Sequence, residues 1–531
     1  MAEADNTRRT PVEIIVGRRR RWRWLVLLLI LAGIVYYLIF VNQYVVAYGD
    51  GDSHFLHGSI GSETATGLPY WVFKALPVIY ADRLGPQGYR RFGFLYANEV
   101  VFDPKQDAYA QASGPRENDL PIGFSRRVVT GVERIWLNCS VCHVGTYKVP
   151  GNATRHAVAG APSNNLQLHA FIRFLLEVGR DPGFNADRLI EAIQSEAVGG
   201  NLNIVERQIY RYLVFPRVKA ALLDLGNRLD FVYRQEDWGP GRVDTFNPYK
   251  AIQFNFPMAP EFISATELNG SSDYPAIWKQ APREGMNLHW DGNNSSVAER
   301  NLSAALGAGV TPPTVDRAAI GRIESWMWEL PPPRFPDESR IDKAKAERGG
   351  RLFVAYCARC HGKGAVTAEG KPAYDYDTRR HPRLGQVEPL GEIGTDIGRW
   401  ASYTREFSAA QNLLYAGYPW RFRHFHKTGG YANQPLDGIW ARSPYLHNGS
   451  VPTLRDLLEP SAQRPSIWFR GSEEFDLDRV GYKSDAAAGS ELFRYDTTRP
   501  GNGNEGHEGR RYGTELPASD KDALVEYMKT L

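Results

Sequence analysis

The longest apolar run in the chain covers residues 24–41, eighteen positions without a charge. At helical rise it would reach about 27 Å, enough for a bilayer core, so it predicts one N-terminal transmembrane helix. Trp22, Trp24, Tyr36, Tyr37 and Tyr44 lie near its ends, as interface aromatics do. A cleaved signal peptide is the rival reading, but the run is long for an h-region and no small-x-small cleavage site follows it. Further on, helical periodicity marks 186–198, 202–229 (broken or kinked at Pro216) and 316–330, the last ended by Pro331-Pro332-Pro333. It marks 341–356 as well, and a closing helix with Ser519 as candidate N-cap and Leu524, Tyr527, Met528 and Leu531 on one stripe. Residues 42–135 are aromatic and rich in Gly and Pro without a clear period, which predicts loops, short helices and few strands.

Charge refines this picture at the N-terminus. The first 23 residues hold seven arginines and three acids, which predicts a cytoplasmic tail. The anchor would then be single-pass in an inner membrane, with the rest of the chain periplasmic. That remainder balances 56 basic against 57 acidic residues, so nothing in it argues for nucleic acid.

Candidate chemistry is concentrated in the cysteines. All four sit in two Cys-x-x-Cys-His pentads, Cys139-Ser140-Val141-Cys142-His143 and Cys357-Ala358-Arg359-Cys360-His361. The pentad is the attachment signature of c-type haem: two thiols bind the porphyrin and the histidine is the proximal iron ligand. A thioredoxin-like disulfide would need a βαβ surround, and zinc would need two further ligands near each pair; neither is present. Two covalently bound c-type haems are therefore expected, through Cys139, Cys142 and His143, and through Cys357, Cys360 and His361.

The sixth iron position separates carriage from chemistry. Methionine is scarce: Met528 is the only one after the second pentad, and it lies on the closing helix stripe, where it reads as core. The second haem is thus expected to take a second histidine. His156, His169 and His289 are the candidates for the first haem, if it has a sixth ligand at all.

Four segments carry a family resemblance. Ala441-Arg442-Ser443-Pro444-Tyr445-Leu446-His447-Asn448-Gly449-Ser450-Val451-Pro452-Thr453-Leu454 and Leu288-His289-Trp290-Asp291-Gly292 resemble motifs of the di-haem cytochrome c peroxidase and MauG superfamily. Leu120-Pro121-Ile122-Gly123-Phe124-Ser125 and Gly501-Asn502-Gly503-Asn504-Glu505-Gly506-His507-Glu508 are similar to the RoxA-like, rubber-oxygenase branch. The resemblance implies that Trp290 relays electrons between the haems, that His507 is the distal ligand of the second haem, and that His447 stands near that haem without binding iron. The peroxidases' Gln and Glu downstream of the Trp are not matched: Glu299 and Arg300 fall near the Gln position, and Ala/Gly/Val fills the Glu position. The peroxidases' Met ligand is missing too. An apolar distal pocket suits dioxygen and a hydrocarbon better than peroxide cleavage.

Together these readings predict a mainly α fold with two cytochrome c-like haem domains and long loop-rich insertions, preceded by the transmembrane helix. The expected boundaries are 1–23 tail, 24–41 anchor, 42–330 N-terminal haem domain and 331–531 C-terminal cytochrome c domain. The expected function is an oxidoreductase in which the first haem activates dioxygen or peroxide and the second relays electrons. Its partners would be the membrane, a periplasmic electron donor or acceptor, and a small-molecule or hydrocarbon substrate. The alternative is a membrane-tethered electron carrier with six-coordinate iron at both haems.

Overall fold

The computed structural model describes residues 12–37, 44–46, 48–102, 119–485 and 491–531. Its N-terminal helix is Val12–Tyr36. Arg18 to Arg21 and Arg23 belong to that helix by sequence, so its uncharged part is residues 24–36. That stretch measures roughly 20 Å, short of a hydrocarbon core of about 30 Å. Of the expected span, residues 38–41 lie outside the described residues. No helix among the described residues is long and apolar enough to cross a membrane. The expected anchor is thereby overturned, and the single-pass inner-membrane placement that rested on it falls as well.

The fold is also less helical than the periodicity suggested. Seven small sheets occur among the described residues, most of them two-stranded and antiparallel. Many pair distant segments, such as Ile467–Arg470 with Phe493–Asp496 and Val101–Phe102 with His156–Ala159. In the aromatic region the hairpin Phe124–Val129/Val132–Leu137 turns at Thr130 (φ 51°) and Gly131 (φ 76°). Two consecutive positive φ values match the twist of a tight hairpin, and glycine supplies the second without strain.

The expected helices form, with corrected ends. Residues 186–198 shorten to Ala186–Gln194. The long segment 202–229 splits into Ile204–Ile209, a π-helical turn Tyr210–Val214, and Phe215–Arg228, with Pro216 in the first turn of the last piece. Proline has no N–H to give there, so the break precedes it. Asp316 caps Arg317–Glu329 by accepting from Ala319 N at 3.0 Å. The proline run that follows is packed: Trp440 Nε1 donates to Pro333 O at 2.9 Å, and Phe335 is buried against Trp440.

Lys343–Tyr356 and the closing helix Ala518–Met528 cross in close contact. Pro517, not Ser519, stands at the cap position of the second; it makes no side-chain capping bond, and Ser519 lies inside the first turn. A Cβ on Gly349 would lie 1.9 Å from Ala523 O, so only glycine permits this crossing. Phe353, Leu524 and Met528 are buried in the core it creates, together with Trp440 and Val451. Cys357 packs against this core. Cys142 borders a second core, around Phe171 and Leu189, and Cys139 a third, around Leu302, Leu306 and Val310.

Candidate functional site

The first pentad is a single 3₁₀ turn, Cys139–Val141, held from behind by Asn138. Asn138 Oδ1 accepts from Ser140 N at 3.0 Å, while its Nδ2 donates to Phe55 O at 3.2 Å and Gly58 O at 3.0 Å. One side chain thus caps the turn and fastens it to the helix Gly51–His57. Gly123 explains the Leu-Pro-Ile-Gly segment: at φ 88°, a Cβ there would sit 2.3 Å from Val141 N. Downstream, Gly160 N and Ser163 N donate to His143 O and Cys142 O, each at 2.9 Å.

His143 Nδ1 is buried without a hydrogen-bond partner. Burial, then the charge of Arg300, pushes the ring down to about 3, so it is neutral and able to bind metal. Among the described residues the ring beside it is Tyr274, edge-on at 6.2 Å and 68°, and not a second histidine. Of the candidates for the sixth position, His169 is stacked on Trp238, with Nε2 3.2 Å from Val232 O and Nδ1 accepting from Trp238 N. His156 stacks on Tyr147 in its strand. His289, at φ 63°, keeps Nδ1 2.6 Å from Asn293 Oδ1.

The second pentad continues from the helix Lys343–Tyr356 through the short helix Ala358–His361. His361 Nδ1 donates to the backbone carbonyl of Gln434 at 2.7 Å. That bond places the ring's free lone pair on Nε2. Facing it is His507, with ring centroids 6.2 Å apart and an interplanar angle of 45°. An imidazole nitrogen stands about 2.0–2.1 Å from a bound metal and about 1.1 Å from its own ring centre, so two rings sharing one metal have centres about 6.2–6.4 Å apart. The pair fits an iron held between them.

His507 is held in place by its backbone. It adopts φ 48°, its N–H donates to Ile393 O at 2.8 Å, and a Cβ on Gly506 would lie 2.4 Å from Thr395 N. Tyr512 packs against the His507 ring at 4.6 Å. Burial, then His361 and Arg464, pushes His507 down to about 3. Its Nδ1 is buried and unpartnered.

Trp290 is half-buried, and its segment is bonded to Gln434, the partner of His361, and to Asp273, which precedes the Tyr274 beside His143. Trp290 Nε1 donates to Asp273 O at 2.8 Å, next to Tyr274, and Gln434 Nε2 donates to His289 O at 3.3 Å. His447 stacks on Tyr431 at 4.3 Å, and its carbonyl accepts from Asp273 N, so it stands beside the Trp290 segment. Glu299 is occupied by His424 and Arg423 N. Arg300 is buried, and its charge acts on both Cys139 and His143.

Burial pushes the Cys139 thiol up to about 11 and Cys142 and Cys357 up to about 12. All four cysteines are free, and among the described residues no group of three or more His, Cys, Asp or Glu is placed to hold a metal ion. Gln434, Tyr274 and Asn138 are the site residues that motif reading missed, although Asn138 directly precedes the first pentad; Arg300 was noted beside the Trp290 motif but without this role.

Residues 430–469, which contain Gln434 and His447, match the family described as RoxA-like, cytochrome c-like. The chain thus carries a cytochrome c-like segment, and that class of domain implies haem as the cofactor. Two uncharacterized proteins of Sinorhizobium fredii are similar to this chain over longer stretches. The protein y4iM is 31% identical over 320 residues, 52% of this chain and 66% of that protein, so the match spans just under two thirds of its length. The protein y4iJ is 26% identical over 476 residues, 75% of this chain and 77% of that protein.

Proposed function

We propose that this protein is a di-haem c-type oxidoreductase of the RoxA-like branch, with one covalent haem at each pentad. His361 and His507 would together hold the iron of the second haem, which would relay electrons. His143 would hold the iron of the first, which would supply the chemistry. Haem with an open coordination position supplies dioxygen or peroxide activation when bound. The observation that carries the reading is the 6.2 Å facing pair of His361 and His507 against the lone His143.

The chain's own residues set the conditions. The Gln434 carbonyl orients His361 and raises its basicity as a ligand. The Ile393 carbonyl and the Gly506 backbone hold His507 in position, with Tyr512 packed against its ring. Ala305, Leu306 and Val310 are buried in the core that Cys139 borders, an apolar surround that favours an apolar substrate. Glu299, tied to His424, is not free to serve as an acid at the first haem. Trp290, bonded to the Asp273 carbonyl next to Tyr274 and following His289, whose carbonyl accepts from Gln434, is the relay between the two sites. The partners in this reading are an electron donor or acceptor and a small-molecule or hydrocarbon substrate, with one haem domain on each side of the proline run.

The test is a pyridine haemochrome assay followed by EPR and optical spectra with and without carbon monoxide. Two haems per chain, one low-spin and one high-spin species, and carbon monoxide binding at one haem are expected. Two low-spin signals with no carbon monoxide shift would instead make the protein an electron carrier.

A further inference from the structure

The helical segment 204–228 has one face in the core and one in solvent. Tyr210, Val214, Val218 and Leu222 are buried, in the same core that Cys142 borders. They are spaced by four, a period that drifts around a regular helix. The wider π-helical turn Tyr210–Val214 takes up that drift and keeps all four inward. Packing on this side is close: a Cβ on Gly179 would lie 2.9 Å from Leu222 Cβ.

The outward face is the unusual one. Solvent-facing helix positions are ordinarily polar. Here Val205, Tyr212 and Leu213 are 66%, 68% and 49% exposed, and Ile204, Ile209 and Leu223 are exposed along the same helix. At these exposures the six side chains present roughly 600 Å², as large as the largest apolar patch of a typical monomer and most of the ~800 Å² per partner that a standard interface buries.

Charge narrows what covers it. Arg211 is paired with Asp187 and Arg228 with Asp224, while Arg207 and Lys219 are turned to the backbone carbonyls of Leu202 and Asp181. Arg217 is left without a carboxylate partner among the described residues, and it leans along the stripe to Leu213 O at 3.2 Å. A helix that lies on an anionic bilayer carries a row of free lysines and arginines, and one such residue does not make a row. The stripe is instead complementary to itself read backwards. About a two-fold axis between Tyr212 and Leu213, antiparallel helices set Val205 against Ala220, Ile209 against Pro216 and Tyr212 against Leu213, a larger side chain facing a smaller one each time, with Gln208 opposite Arg217.

We propose that this protein is a homodimer, closed by antiparallel packing of this helix against the same helix of a second copy. Each helix then has its partner on one face and the core that Cys142 borders on the other. The dimer does not depend on the haem reading above.

The experiment is size exclusion with light scattering, and sedimentation velocity over a wide concentration range, on the full-length protein with its absorbance spectrum recorded. Wild type is expected to be a dimer. Tyr212→Glu and Val205→Glu are each expected to weaken dimerisation by more than about tenfold, since each sets a charge against the partner's apolar face. Both positions face solvent in the single copy, so the spectrum and folding of the variants are expected to match wild type. Leu213→Cys, next to the axis, is expected to give a disulfide-linked dimer on mild oxidation, whereas wild type and Asp230→Cys, outside the stripe, are not. A monomeric wild type overturns the proposal, as does a dimer that Tyr212→Glu and Val205→Glu leave intact. A monomer that floats with phosphatidylcholine and phosphatidylglycerol vesicles in wild type, and not in Tyr212→Glu, would make the stripe a lipid-docking face instead.

Discussion

The Nδ1–H of His361 donates to the main-chain carbonyl of Gln434, 73 residues away, at 2.7 Å. Because the acceptor is backbone, no side-chain substitution at 434 removes it, and the ring stays committed to offering Nε2 toward His507. His507 is therefore the replaceable half of the pair.

His507→Ala is expected to leave two haems per chain, since the thioether bonds hold the porphyrin, while converting the second haem from low-spin to high-spin. Carbon monoxide would then bind a second equivalent. EPR and carbon monoxide titration of the variant check both outcomes. An unchanged low-spin signal would remove His507 from the iron.

Trp290→Phe keeps an aromatic ring but loses the Nε1–H bond to Asp273 O. The expected cost is about 1 kcal/mol of stability, the net worth of one hydrogen bond. Haem content is expected to stay the same, and electron equilibration between the haems to slow after rapid reduction in stopped flow. Equal rates in wild type and variant would reduce Trp290 to a packing aromatic.

Much of this arrangement is legible in local sequence, and the reason is local chemistry. A pentad needs five adjacent residues, the Gly349 crossing needs a small pair within one helix, and the closing stripe follows helical periodicity. Gln434, Tyr274 and Arg300 share no such signal: each meets its pentad across more than seventy residues and contributes through a carbonyl, a ring edge or a charge. The small sheets were missed for the same reason, since Ile467–Arg470 finds its partner more than twenty residues on. The N-terminal expectation failed differently. Hydropathy counted a run of eighteen positions, but the described helix contains thirteen of them, 24–36, preceded within it by Arg18 to Arg21 and Arg23.

Gly349→Ala tests the helix crossing that carries the second pentad. The added methyl would meet Ala523 O at 1.9 Å, so the helices must separate and open the core around Phe353 and Leu524. Overpacking of this kind costs about 1–3 kcal/mol. A lower midpoint in urea denaturation is expected, with reduced haem occupancy at the second pentad and not the first. Unaltered stability would mean that the crossing has slack.

His57 supplies a pH test in the helix that backs the first pentad. It is 3% exposed, its Nε2 has no hydrogen-bond partner, and burial, with Arg126 adding to it, pushes it from 6.5 down to about 4. The unfolded chain therefore binds a proton near pH 6.5 that the folded chain refuses until about pH 4. Stability contributed by the neutral ring is fully present above pH 6.5 and is lost as pH falls through that window, by up to about 3 kcal/mol. Other buried histidines add slopes of their own, so the informative quantity is the difference between wild type and His57→Gln. Urea denaturation of both at pH 7 and pH 5 is expected to show a smaller loss in the variant. Identical losses would mean that the His57 proton equilibrium does not change on folding.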